Sequence, residues 1–177
     1  LPDEAGAVSI RNKVREKLGL TESDFLVTIG FGGDPAERAL TQLPQIIAAL
    51  EAYEDSLTVA WRFHPKHPQK DQLWETATKS KVPFVDATKE NLEELNFASN
   101  IVVADWGNTD PYKALLYGVP IVTMLFPDDI QRRLDAGYPD GVPPIIFGAF
   151  QWGVKSANDI RMRLRYVRSA EAQLRTY

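Results

Sequence analysis

Short runs of β-branched and aromatic residues alternate with longer stretches in which apolar residues recur every three or four positions, and the alternation runs along almost the whole chain. Ser9–Leu18 reads as a basic amphipathic helix ended by Gly19, and Thr21–Asp24 as a polar turn into a first strand, Phe25–Ile29. Gly30-Phe31-Gly32-Gly33 follows, then Asp34 as an N-cap and Pro35 at the first position of a helix running to about Tyr53. Leu57–Phe63 is the second strand, Gln69–Lys79 a helix, Val82–Val85 the third strand and Glu90–Phe97 another helix. A fourth, buried strand over Ile101–Val103 stops at Asp105-Trp106. The polar turn Gly107-Asn108-Thr109 then leads to a short helix, opened by Asp110-Pro111 and closed by Gly118-Val119-Pro120. Ile121–Leu125 is the fifth strand, Ile130–Ala136 a helix, Gly137–Pro144 a loop and Ile145–Phe147 a sixth strand. Ser156 with Asp159 forms a capping-box variant opening a last helix through about Arg175.

Short apolar strands separated by helices call for a parallel sheet covered on both faces. The expected fold is α/β, a Rossmann-like doubly wound parallel sheet of about six strands with flanking helices. Residues 1–8 lack periodicity and read as a linker remnant, leaving 9–177 as one domain. The 177 residues suffice for one full core, and a 44% hydrophobic, 25% charged composition is that of a soluble globular protein. No apolar run is long enough to span a bilayer. The chain has no cysteine, which rules out disulfides, thiol nucleophiles and thiolate metal sites and fits a reducing, cytoplasmic setting. A net charge of −4 argues against nucleic acid as a partner.

In a doubly wound sheet, ligands lie beyond the carboxyl ends of the strands, where the strand order reverses. Four loops therefore matter. After the first strand, Gly30, Gly32 and Gly33 let a backbone approach a phosphate or sugar closely, or simply make a tight strand-to-helix turn; the spacing is not the full dinucleotide fingerprint. After the second, Arg62, His64, Lys66 and His67 gather in Arg-Phe-His-Pro-Lys-His-Pro. His64 suits donation to a diphosphate or proton transfer, against the plainer reading of a solvated loop with incidental histidines, which weighs more for His67. No nearby carboxylate completes a metal site there. After the fourth strand, Asp105 and Trp106 sit on the rim, while Gly107, Asn108 and Thr109 offer amides and short donors to an anion at a helix start. Trp106 either stacks on a base or sugar or packs. Asp110, like Asp34, competes with an anion for the same N–H groups. After the fifth strand, Gln131 suits sugar hydroxyls or belongs to a solvated helix start, and the adjacent Arg132 and Arg133 point apart.

In this order, FLVTIGFGG, WRFHP, DWGNTDPYKALLYGVPIV, FPDDIQ and VKSANDIRMRLRYV resemble the nucleotide-sugar-binding, C-terminal half of GT-B-fold glycosyltransferases. WRFHP and Asp105–Thr109 also resemble CDP-glycerol glycerophosphotransferases, and UDP-N-acetylglucosamine 2-epimerases share the architecture. The resemblance implies a nucleotide-sugar of UDP, GDP or CDP type as substrate, no cofactor and no metal. It places Gly30, Gly32, Gly33, Arg62, His64, Asp105, Trp106, Gly107, Asn108, Thr109, Lys113 and Gln131 around the donor, with His64 as the catalytic candidate. Lys113 stands where many relatives carry a ribose-binding acid, and Asp105 where retaining families carry a glutamate. The acceptor site would belong to a missing N-terminal domain of the same protein, without which the chain should be inactive. A nucleotide-sugar epimerase-like enzyme and a degenerate, non-catalytic scaffold domain stay open as alternatives.

Overall fold

The computed structural model describes residues 4–31, 36–62, 67–105, 112–137 and 151–174. They form, in chain order, α1 (Glu4–Lys17), β1 (Leu26–Gly30), α2 (Ala36–Glu51), β2 (Thr58–Trp61), α3 (Lys70–Thr78), β3 (Phe84–Asp86) and α4 (Leu92–Ala98). Then follow β4 (Ile101–Asp105), α5 (Tyr112–Leu116), β5 (Ile121–Met124), α6 (Pro127–Asp135), β6 (Gln151–Val154) and α7 (Ala157–Leu174). The six strands make one all-parallel sheet in the order β3-β2-β1-β4-β5-β6, so the expected α/β doubly wound arrangement is present.

Every residue of β1, β4 and β5 is buried, which requires helices on both faces. The period of two along each strand divides them. Val27, Ile29, Val59, Trp61, Ile101, Val103, Val122 and Met124 face one way, under Leu43, Ile46 and Leu50 of α2, Leu73 of α3 and Ile160 and Leu164 of α7. Leu26 and Ala60 face the other way under α1 and α4, while Val102, Ala104 and Ile121 meet Ala114 of α5 on that side. The core is therefore two layers of side chains with the sheet between them. No described helix is long and apolar enough to cross a membrane.

Polar anchors join the layers. Arg15 of α1, 1% exposed, donates to the carbonyls of Thr21 (3.0 Å), Ala98 (2.8 Å) and Asp24. Asn100 works as an extra rung of the β1–β4 ladder: its N–H donates to the Leu26 carbonyl at 2.8 Å, and its side-chain oxygen accepts from Leu26 N–H at 2.7 Å. The Arg15 guanidinium also reaches that side-chain oxygen, at 3.4 Å.

Three elements differ from the sequence expectation. Helix α1 begins at Glu4, five residues before the predicted Ser9, so Glu4–Val8 continue the helix instead of standing apart as a linker. Alanine is the best helix former, which weighs more here than the missing apolar periodicity. The strand beside β5 is Gln151–Val154, whereas the predicted Ile145–Phe147 lies outside the described residues. Among the described residues β6 has one neighbour, and with Gln151 and Gly153 it lacks the apolar run that marks a central strand. Helix α6 begins three residues early, with Pro127 at its first position, where a missing N–H costs nothing. At the start of α7, Ser156 Oγ accepts from Asp159 N–H at 3.2 Å, and the Asp159 carboxylate accepts from Lys155 N–H at 3.1 Å, the expected box displaced by one residue.

Candidate functional site

Strands β1 and β4 are neighbours, yet β1 leads to α2 on one face and β4 to α5 on the other. The helices that follow β1 and β4 thus lie on opposite faces, the arrangement in which doubly wound sheets generally place a ligand crevice. Gly30 ends β1, paired in register with Ala104, and Asp105 ends β4, paired with Met124 of β5. Two of the residues nominated from the sequence thus lie side by side at the reversal of strand order. Gly32, Gly33, His64, Trp106, Gly107, Asn108 and Thr109 fall outside the described residues, as do Asp34 and Asp110.

Asp105 is 5% exposed and faces a residue that the sequence did not nominate. Arg38, in the first turn of α2 and 7% exposed, places Nη1 4.0 Å from Asp105 Oδ2. The pair is a Coulombic contact, longer than a charge-assisted hydrogen bond of about 2.7–2.9 Å. One turn on, Gln42 is buried as well. Arg38 and Gln42 border the apolar stripe of Ala39, Leu43 and Ile46 on α2, and that i, i+4 spacing beside the stripe was the available signal. It was masked because a charged residue on an amphipathic helix ordinarily belongs to the solvated face.

Arg62, just past β2, is half-buried and its Nε donates to the Glu90 carbonyl at 3.0 Å, fastening the loop that precedes α4. His67 departs from the solvated-loop reading: it is 4% exposed, and its Nδ1 accepts from Gln69 N–H at 3.3 Å ahead of α3. A histidine accepting at one nitrogen carries its proton on the other when neutral, so this contact selects the Nε2–H tautomer.

Lys113 and Gln131 are both exposed and hold neighbouring acids. Lys113 Nζ lies 3.7 Å from Glu93 of α4, and that carboxylate also accepts from the Tyr117 hydroxyl. The hydroxyl first, and Lys113 second, hold Glu93 below the usual glutamate range, and the same hydrogen bond pushes the Tyr117 phenol up. Gln131 donates to Asp135 at 2.9 Å, one turn along α6. The structure thus brings Gly30 and Asp105 together, adds Arg38, and turns the polar ends of Lys113 and Gln131 to partners on α4 and α6.

No family model matches this chain, and no curated protein sequence matches it. Among solved structures, the chain is similar to the wall teichoic acid polymerase TagF, with a TM-score of 0.63 and 14% identity over 97% of the chain. A histidine-to-asparagine variant of TagF soaked with CDPG gives a TM-score of 0.61 at the same identity and coverage. The chain spans 41% of the length of each of those structures. At that identity the likeness is one of fold, and the fold is that of a GT-B-like domain.

Proposed function

We propose that this chain is the donor-binding half of a GT-B-type transferase, which moves a sugar or a similar group from a nucleotide-diphosphate donor to an acceptor. The likeness of nearly the whole chain to TagF carries this reading, with CDP-type donors the first class to test. A crevice at the reversal of strand order is where doubly wound sheets hold nucleotides, and Gly30 permits a close backbone approach at its floor. Gly32, Gly33, Gly107, Asn108 and Thr109 would contact phosphate or sugar, and Trp106 a base or sugar face. His64 would donate to the diphosphate as the bond to the transferred group breaks, with loop amides stabilising the departing charge. Acceptor and general base would come from a further domain of the same protein, so the chain alone binds donor without turnover.

Calorimetric titration with CDP, UDP and GDP, with CDP-glycerol and with the free nucleosides tests the reading. Saturable binding of one diphosphate series is expected. His64→Ala should then weaken the diphosphate by about 1–3 kcal/mol, the range for a hydrogen bond to a charged group, and leave the nucleoside unchanged. Failure of every diphosphate to bind at millimolar concentration overturns the proposal.

One observation favours the scaffold alternative. Lys113 and Gln131 spend their polar atoms on Glu93 and Asp135. On that reading Lys113→Glu merely sets two acids together on the surface, costs less than about 1 kcal/mol of stability, and changes no ligand affinity because there is none.

A further inference from the structure

We infer that the hollow between α1, α4 and the end of α5 is a docking site for an arginine side chain of a partner polypeptide, a surface independent of the donor-binding reading above. Among the described residues it is lined by Ile10 of α1, by Asn91, Glu93, Glu94 and Phe97 at the start of α4 and along it, and by Tyr117 just past α5. Its volume is about 230 Å³. Pockets for drug-sized ligands span about 300–1,000 Å³, so this hollow is of a size for one side chain.

The lining selects the chemistry of that side chain. Ile10, Phe97 and Tyr117 supply apolar surface, the two rings packed edge to face with centroids 4.8 Å apart and planes at 77°. Glu93 and Glu94 bring two carboxylates to the same hollow, and α4 carries no basic residue to answer them. Asn91 already caps α4: its side-chain oxygen accepts from the N–H groups of Glu93 and Glu94 at 2.9 and 3.2 Å, so the helix start has little left to offer an anion. Neighbouring cations are committed or loosely held. Lys17 donates to Glu90 at 2.9 Å and acts on Glu94 only through its field. Lys113 stands 3.7 Å from Glu93 with both side chains about half exposed, a water-screened pair that yields to a better partner. The half-buried Glu94 carboxylate has no hydrogen bond or ion pair among the described residues. An arginine suits all of this together. Its guanidinium lies flat on an aromatic face while its in-plane donors reach carboxylates, whereas lysine brings a compact, strongly hydrated charge. An anion would meet two acids, and an apolar side chain would strip water from them without return.

The test titrates the 177-residue chain with blocked peptides of glycine around a central arginine, lysine or citrulline, the last being the uncharged near-isostere of arginine. Two-dimensional NMR follows the Ile10 methyls and the ring protons of Phe97 and Tyr117. The arginine peptide should shift all three residues along one saturating curve, with a Kd of about 1–10 mM as suits a single side chain. The lysine peptide should bind several-fold more weakly and the citrulline peptide should not saturate. Glu94→Gln should weaken the arginine peptide by about three- to tenfold, whereas Glu75→Gln, at an exposed acid on α3, should change nothing. Phe97→Leu keeps apolar surface, removes the ring face and should cost a similar factor. If that variant does not fold, Glu94→Gln decides alone. Lysine or citrulline binding as tightly as arginine, an unmoved affinity in Glu94→Gln, or no saturation by the arginine peptide at about 50 mM overturns the inference.

Discussion

Arg15 shows how much one side chain can hold in this molecule. Its guanidinium donates to main-chain carbonyls from the α1–β1 turn and from the end of α4, and also reaches Asn100 at the start of β4. None of these acceptors is a carboxylate: the arginine completes hydrogen bonding for the buried Ala98 carbonyl and for two part-buried carbonyls of the turn. Replacing it with methionine keeps the apolar stem and strands the carbonyls. We expect Arg15→Met to lower unfolding free energy by about 3 kcal/mol or more, read from urea melts, since hydrogen bonds to a charged group contribute about 1.5–3 kcal/mol each. A loss below about 1 kcal/mol would show that water repairs the gap. Nothing in the sequence marks Arg15 out: it lies among Lys13, Lys17 and Arg11 on a helix that reads as basic and solvated. The same blindness hid Arg38. Periodicity reports the apolar stripe well and says nothing of a long cation whose head turns back under it. Gly30 and Asp105 were legible because position alone, at the end of an apolar run, nominated them.

At the scale of elements, the punctuation was the most readable part. Gly19 and Gly118 both sit at positive φ, 72° and 73°, two residues past the last residue of a helix. At each, the next N–H reaches back five residues (Leu20 to Arg15, Val119 to Ala114) and the glycine N–H reaches back three, which is the Schellman arrangement. A Cβ on Gly118 would meet open space, so the cost of Gly118→Ala is conformational alone. We expect about 1 kcal/mol of destabilisation, and less for Gly118→Asn, which tolerates this backbone better. Equal values for the two variants in chemical melts would contradict the assignment. The helix boundaries that went astray, at Glu4 and Pro127, did so for want of an apolar partner in the first turn. Strand β6 was not foreseen for the complementary reason, while the predicted strand Ile145–Phe147 lies outside the described residues. Ile145-Ile146-Phe147 has the composition of a central strand, whereas an edge strand is chosen by geometry and needs less apolar surface.

Across the whole molecule, acid is the expected weak point. Thr21 N–H and hydroxyl hold Asp24 below the usual carboxylate range, Lys81 N–H and Ser80 do the same for Glu51, and Arg165 and Lys79 do it for Glu54 and Glu75. A carboxyl whose folded pKa is depressed binds fewer protons folded than unfolded. Its contribution is present above the unfolded value and lost as pH falls through the folded one. The melting temperature should therefore decline below about pH 4, and added salt should flatten only the share from Glu54 and Glu75, whose partners are surface cations. A melting temperature that holds down to about pH 2 would contradict this. Asp24→Asn should soften the acid limb, since its carboxylate closes the turn into β1.

The strand order has a kinetic meaning as well. Neighbours on either side of the centre are joined by single crossovers, whereas the central pair brings Val27 to Ile101. Closing so long a loop is slow, and native contacts distant in sequence lower folding rates. The β1-β2-β3 and β4-β5-β6 halves can each gather locally before they meet, with Asn100 and Arg15 fastening the seam afterwards. The Arg38–Asp105 contact crosses that seam, so neither half alone contains it. Arg38 arrives with one half and Asp105 with the other. That contact is then among the last to form in refolding, trailing the helical signal.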